Sequence, residues 1–346
     1  MNKYYTRPCN FFYNNSQTHN IKKYSLNGNK HIYFDSIEII SRTSIKKVKI
    51  NKIKYLSSGL KKKIEIDLKK IISKKKFKNL NFSKAPLLMG VLNVTPDSFS
   101  DGGKYFKISK SLSHMKKLSK QGCDIIDIGA ESTRPGSKEV NKLIEWKRLK
   151  KHLSKLSKIN MFISLDTRKS YIMEKALRYK INLINDVSGL NYDKKTLKFL
   201  KKTNIPFVIH HMQGTPQNMQ NNPRYKNVLL DIYDFFEDTL KKIRSAGIKH
   251  NNILLDPGIG FGKKLKHNIT ILKNISIFHS LGFPLLLGIS RKKFIKELSG
   301  INDSKYRYGG TISTSLYLMK QGVQILRVHD VNEVKQAIKI YKNLIL

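Results

Sequence analysis

From residue 86 onward the chain repeats one unit: a short apolar run, a polar stretch rich in turn formers, then a segment of helical period. The apolar runs fall at 87–92, 124–128, 161–165, 183–185, 206–210, 253–255, 284–288 and 324–328. Periodic segments at 109–121, 170–179, 194–202, 228–246 and 309–320 lie between them, with apolar residues at three- and four-residue intervals. Uninterrupted apolar strands belong to parallel sheets covered on both faces, and parallel neighbours need a crossover helix between them. Eight such units in roughly 260 residues is the size of a closed (β/α)8 barrel, the TIM barrel. A doubly wound open sheet has the same alternation and is the structural alternative.

Each run gives way at once to reactive side chains. In order these are NVTPD, GAESTRPG, DTRK, NDVSG, HHMQG, DPGIGFGK, SRK and RVHD. Loops leaving the carboxyl ends of barrel strands open on one face, so stretches repeated in this phase predict an active-site rim. Asp166, Asn185 and Asp256 end the third, fourth and sixth runs and are acceptors deep in that mouth. Carboxylates there suit a flat, donor-rich heterocycle with a guanidine-like edge, gripped by paired bonds. Arg134, Lys292, Arg327 and His329 come from the second, seventh and eighth units and suit an anionic leaving group. Taken singly, an Asp before Pro-Gly is an ordinary turn former and an Arg or Lys is ordinary surface. Their shared position at strand ends marks them as a site.

Composition narrows the partners. With 67 Lys+Arg against 24 Asp+Glu the net charge is +43, which makes nucleic acid the first partner to consider. The excess is mostly Lys spread along the whole chain, and no RNA-binding aromatic motif, zinc-finger spacing or helix-turn-helix signature accompanies it. No nucleic-acid face is therefore expected, although a basic field draws in anionic substrates. Cys9 and Cys123 lie far apart without metal-type spacing, and Cys123 reads as a small buried thiol. No apolar run approaches the roughly 18 residues of a membrane span. The expected location is a reducing cytoplasm.

Residues 1–85 differ from the rest. Residues 31–40 alternate loosely as a strand, and 60–77 place Leu60, Ile64, Leu68, Ile71 and Ile72 on one helical face with lysines opposite. The expectation is a small basic α+β or partly disordered extension, 1–85, ahead of a barrel at 86–346.

The rim segments carry a resemblance. NVTPDSFSDGG, GAESTRPGS, LDTRKS, INDVSG, HHMQGTP, LLDPGIGFGK, GISRKKF and RVHDV, in that order, resemble dihydropteroate synthase, the pterin-binding folate-pathway family inhibited by sulfonamides. KYYTRP and YFDSIEII resemble, more loosely, an extension found in some bacterial members. The resemblance implies a barrel, usually homodimeric, that condenses 6-hydroxymethyl-7,8-dihydropterin diphosphate with 4-aminobenzoate to give 7,8-dihydropteroate and pyrophosphate. By motif, Asp166, Asn185, Asp256 and Lys292 hold the pterin, with Met212 and Gly288 lining its slot. Asn93, Arg327 and His329 hold the diphosphate, and Asn93 helps to ligate Mg²⁺. Asp101 and Arg134 belong to two loops that close over the site, while Phe99, Thr133, Pro135, Phe261 and Ser290 shape the aminobenzoate pocket. The competing readings are a related pterin-binding methyltransferase domain, a catalytically silent paralogue, and a basic nucleic-acid-binding protein on the same barrel.

Overall fold

The computed structural model describes residues 3–13, 22–95 and 108–345. Strands β1 (Tyr5–Tyr13), β2 (Tyr24–Ser25), β3 (Ile32–Ile40) and β4 (Ile45–Lys49) form an antiparallel sheet with β3 at its centre, followed by helix α1 (Ser58–Ile72). The helix stops five residues before the end that its pattern predicts. Ser73 and Lys75 donate their side chains to the Lys70 carbonyl and close its last turn. The chain then turns so that Phe77 enters the base of the second unit.

That unit is the barrel. Strands β5 (Leu87–Asn93), β6 (Ile125–Gly129), β7 (Phe162–Asp166), β8 (Leu183–Asp186), β9 (Phe207–His210), β10 (Ile253–Asp256), β11 (Leu286–Gly288) and β12 (Ile325–Val328) are parallel, in the order β10-β9-β8-β7-β6-β5-β12-β11. The two end strands meet through one parallel bridge, Leu255 to Leu285, where the Leu255 N–H donates to the Pro284 carbonyl at 3.0 Å. This contact closes the ring and removes the open-sheet alternative. Helices α2 (Ile108–Lys120), α3 (Lys142–Leu156), α4 (Ser170–Ala176), α5 (Thr196–Thr203), α6 (Val228–Ser245), α7 (Leu265–Lys273), α8 (Lys293–Ser299), α9 (Tyr308–Lys320) and α10 (Val331–Ile345) surround it. Among the described residues no helix is long and apolar enough to cross a membrane. Both cysteines are free and buried, and burial raises the pKa of each thiol.

The strands are apolar on both faces for two different reasons. Ile126, Ile128, Ile163, Leu165, Leu287 and Val328 face outward into the layer shared with the helices. Leu87, Met89, Ile125, Leu183, Val208, Leu254, Leu286 and Ile325 face inward and fill the lower lumen as a separate cluster, which Phe77 joins. The amino-terminal unit thus supplies a plug for the barrel's lower end.

It is also fastened from outside. β1 and α1 pack on the 3-10 segment Ile275–Leu281, all seven residues of which are buried. Ser276 Oγ donates to the Pro8 carbonyl at 3.0 Å. On α6, Asp234 accepts from the Tyr5 hydroxyl (2.8 Å), Lys3 (2.5 Å) and Arg42 (2.6 Å), and Asp231 pairs with Arg42 at 2.8 Å. A cavity of about 120 Å³ remains between the units, lined by Leu26, Lys75, Phe82 and Met319 among others.

Phe77→Ala should cost about 3–5 kcal/mol, as for a buried aromatic side chain whose site cannot collapse, read as a lower denaturant midpoint at constant slope. A loss under about 1 kcal/mol would show that the plug is loosely packed.

Candidate active site

Side chains on a strand alternate in direction, so the inward position two residues beyond each apolar lumen residue rises one level toward the mouth. At that level stand Asp127 above Ile125, Asn185 above Leu183, His210 above Val208, Asp256 above Leu254, Gly288 above Leu286 and Arg327 above Ile325. Asp166 ends β7 in register with Gly129 on one side and Asn185 on the other. A Cβ on Gly129 would lie 3.1 Å from the Asp166 Cβ, so the glycine lets this carboxylate sit close to its neighbour strand.

Arg327 ties the lumen together. Its Nε is 2.6 Å from Asp127 Oδ2 and its Nη2 is 3.0 Å from Asp166 Oδ2. Asn185 Nδ2 donates to the same Asp127 oxygen at 3.1 Å. Burial raises the pKa of Asp166, and the nearby Asp127 charge raises it further against the pull of Arg327. Four buried atoms at this level have no protein partner among the described residues: Asp127 Oδ1, Ser164 Oγ, Asn185 Oδ1 and His210 Nδ1.

On the opposite wall, Asp256 is 4% exposed and accepts the Gly258 N–H at 2.7 Å. Burial lifts its pKa to about 6, opposed by Lys292. Lys292 is itself lowered to about 8 by burial, against the pull of the Asp256 charge. Its Nζ donates to the Ile259 carbonyl and lies 4.6 Å from the centre of the Phe261 ring. The Phe261 ring also meets His210 edge-to-face at 4.6 Å, and burial keeps His210 neutral. Behind this wall Lys263 is buried, which pulls its pKa well down. Its Nζ finds the Phe261 carbonyl at 2.9 Å, His211 Nδ1 at 3.0 Å and the His211 carbonyl at 3.3 Å, one acceptor for each ammonium proton. It braces the loop after β9 to the loop after β10. Gly258 makes that contact possible: at φ +68° a Cβ would come within 2.0 Å of the His211 carbonyl.

His329 completes the eighth unit. Burial, with Arg327 nearby, lowers its pKa to about 3, so the ring is neutral. Ser290 Oγ accepts the His329 backbone N–H at 3.2 Å and lies 3.1 Å from Nδ1. The Ser290 proton can go to Nδ1, which places the ring's own proton on Nε2 as a donor. Asn93, half-buried, ends β5 and pairs with Gly129 in the mouth.

Thr133 is half-buried and Arg134 exposed on the loop after β6. That loop is anchored from below. Glu131 receives Arg168 (3.1 Å), Lys169 (3.0 Å) and the Val140 N–H (2.8 Å), and Lys169 also pairs with Glu145 at 2.7 Å. Burial alone would raise the Glu131 pKa, but these donors, led by Arg168, hold it below the usual value. Met212 is half-buried in the loop after β9, and Gly288 lies beside Lys292 and Arg327, whose Nζ and Cδ would be 3.6 and 3.8 Å from a Cβ placed there. Asp101 and Phe99 lie outside the described residues. Among the described residues no group of three or more His, Cys, Asp or Glu is placed to hold a metal ion.

Residues 89–329 match the pterin binding enzyme family. The chain belongs to that family. Dihydropteroate synthase of Neisseria meningitidis serogroup C is 41% identical over 262 residues, covering 75% of this chain and 93% of that protein. The crystal structure of the Yersinia pestis dihydropteroate synthase with a sulfonamide drug complex superposes with a TM-score of 0.73 at 38% identity, covering 78% of this chain and 98% of that one. That of Xanthomonas albilineans with 4-aminobenzoic acid gives 0.71 at 33% identity, over 77% and 94% of the two chains.

Sequence reasoning passed over Asp127, Ser164, His210 and Lys263. The first three share the inward parity of Asn185 and Asp256, and counting in twos along each strand would have found them. Lys263 carried no such signal, because its two His211 acceptors come from another loop.

Asp256 ionises near 6 in the folded chain against the model-peptide 3.8, so its stability contribution is complete below 3.8 and is lost as pH rises through 6. Asp256→Asn should therefore match the parent near pH 4 and exceed it by roughly 2–3 kcal/mol at pH 7.5, by denaturant unfolding. Equal stability of the two proteins at both pH values would place the carboxyl in contact with water.

Proposed function

We infer that this barrel is a dihydropteroate synthase, a transferase of an alkyl group other than methyl, joining 6-hydroxymethyl-7,8-dihydropterin diphosphate to 4-aminobenzoate. The observation that carries the reading is the level of four unpartnered polar atoms inside the lumen, flanked by Asp166 and Asp256. Buried polar atoms need partners, and a flat heterocycle with donors along one edge supplies them to several strands at once. The aminopyrimidinone edge of a pterin is such an edge. Similarity to dihydropteroate synthases over more than nine-tenths of their own length supports the same substrate pair.

The chemistry follows from what the residues can do. The bond from the exocyclic carbon to the diphosphate oxygen breaks, the aryl amine forms the new C–N bond, and the amine loses a proton to solvent. An aryl amine is a weak nucleophile, so departure of the leaving group is the step to assist. Arg327 and the Nε2–H of His329 are the cationic and neutral donors for the departing pyrophosphate. Asp166 and Asp256, once ionised, favour the positive charge left on the pterin. Phe261, fixed by Lys263 and Lys292, forms an apolar wall for the aminobenzoate ring. No side-chain nucleophile is required.

Mg²⁺ fits this mouth. Magnesium is commonly held by one or two protein oxygens together with waters and substrate phosphates, and the Asn93 side-chain oxygen at the end of β5 is a hard donor of that kind. When bound, the ion would neutralise charge gathering on the diphosphate. A homodimer and a cytoplasmic location are part of the same proposal. They rest on family membership, and sedimentation of the purified chain tests the first.

Purified protein given both substrates and Mg²⁺ should release dihydropteroate and pyrophosphate in equal amounts, followed by chromatography of the pterin. Complete substrate recovery would refute the assignment. Arg327→Ala should lower kcat/KM by about 10²–10³, as for loss of one transition-state donor, and at every salt concentration because the group lies inside the site. Rescue of the variant by low salt would make Arg327 a steering charge instead.

A further inference from the structure

Asp127 is fully buried on β6, and no sequence motif named above assigns it a role. One of its oxygens, Oδ2, carries both Arg327 Nε (2.6 Å) and Asn185 Nδ2 (3.1 Å); the other, Oδ1, has no protein partner. Each bond has a consequence. An amide has one donor end and one acceptor end. With Nδ2 committed to Asp127, Asn185 keeps its unpartnered Oδ1 for a ligand and acts as an acceptor. The flipped amide would set Oδ1 against the Asp127 carboxylate, two acceptors in a buried place, so Asp127 fixes the sense of the amide. At Arg327, anchoring Nε on Asp127 and Nη2 on Asp166 leaves the Nη1 protons for an anion.

We propose that Asp127 is a positioning residue for the transfer reaction, one carboxylate that sets the acceptor face reading the pterin edge and the guanidinium meeting the diphosphate. This rests on the pterin reading above. It adds that the two halves of the substrate are registered to each other through β6, by a residue that need not touch either reacting atom. It also explains the like charge beside Asp166: the carboxylate that fixes Arg327 is the one that raises the Asp166 pKa.

Asp127→Asn preserves shape and removes the charge. KM for the pterin diphosphate should rise about 100-fold, as when one member of a buried charged pair is lost, with KM for 4-aminobenzoate unchanged. The acid limb of the kcat/KM profile should move to lower pH, because Asp166 loses its like-charged neighbour. A second variant combines Asp127→Asn with Asn185→Asp. It restores an amide–carboxylate pair with the acceptor again facing the ligand, while Arg327 still lacks its Nε anchor. Affinity for 6-hydroxymethylpterin, which has no diphosphate, should recover by calorimetry, and kcat should not. A folded Asp127→Asn protein with an unchanged pterin KM and an unmoved acid limb would overturn the proposal. So would equal losses for both substrates without recovery in the double variant, which is what a purely structural role predicts. A parent protein that binds no pterin would instead overturn the reading on which this rests.

Discussion

A strand buried on both faces sends alternate side chains to opposite sides, and the site depends on that rule. Outward residues such as Ile126, Ile163 and Leu287 hold the helices, and inward residues fill the lumen. Low in the barrel the inward positions are apolar and pack as a plug. One level higher the same parity places Asp127, Asn185, His210, Asp256 and Arg327 in one layer, drawn from strands far apart in sequence. Loop chemistry above this layer can vary, but the layer cannot shift by one residue on any strand without turning a carboxylate into the helix interface.

The layer is held as a network. Arg327 spans two carboxylates, Lys292 binds the Ile259 carbonyl beside the Phe261 ring, and Lys263 ties the two loops that carry His211 and Phe261. Glu131 anchors the loop bearing Thr133 and Arg134 to Arg168 and Lys169. Charges withdrawn from water are stabilising only in good geometry with full hydrogen bonding, and each of these has more than one partner. Those without, the unpartnered atoms of Asp127, Ser164, Asn185 and His210, face the space where a ligand belongs.

Much of this was legible in the sequence because it is local. The eight apolar runs and the polar stretch after each depend on neighbours in the chain, and the strands observed fall on those runs within a residue or two. Asp166, Asn185, Asp256, Lys292, Arg327 and His329 declared themselves by ending strands or following them within a few residues. Asp127 did not, since it sits inside an apolar run, where a carboxylate reads as an interruption. Helix α3 was missed because its lysine-rich surface masks Leu149, Leu153 and Leu156, the buried face that fixes it. Closure through Leu255 and Leu285, and the entry of Phe77 into the lumen, join residues about thirty to two hundred apart, and no periodicity reports such pairs.

The amino-terminal unit changes how this barrel can be told from its relatives. The family match begins at residue 89, so Phe77 and the surfaces that meet Asp234 and Ser276 lie outside the matched residues. The mouth lies inside the matched residues. The cavity beside Leu26, Lys75 and Met319 is at the other pole, built mostly from a segment the match does not include. A compound fitted there would draw its selectivity from architecture, and substitutions that protect the mouth from a substrate mimic would leave it untouched.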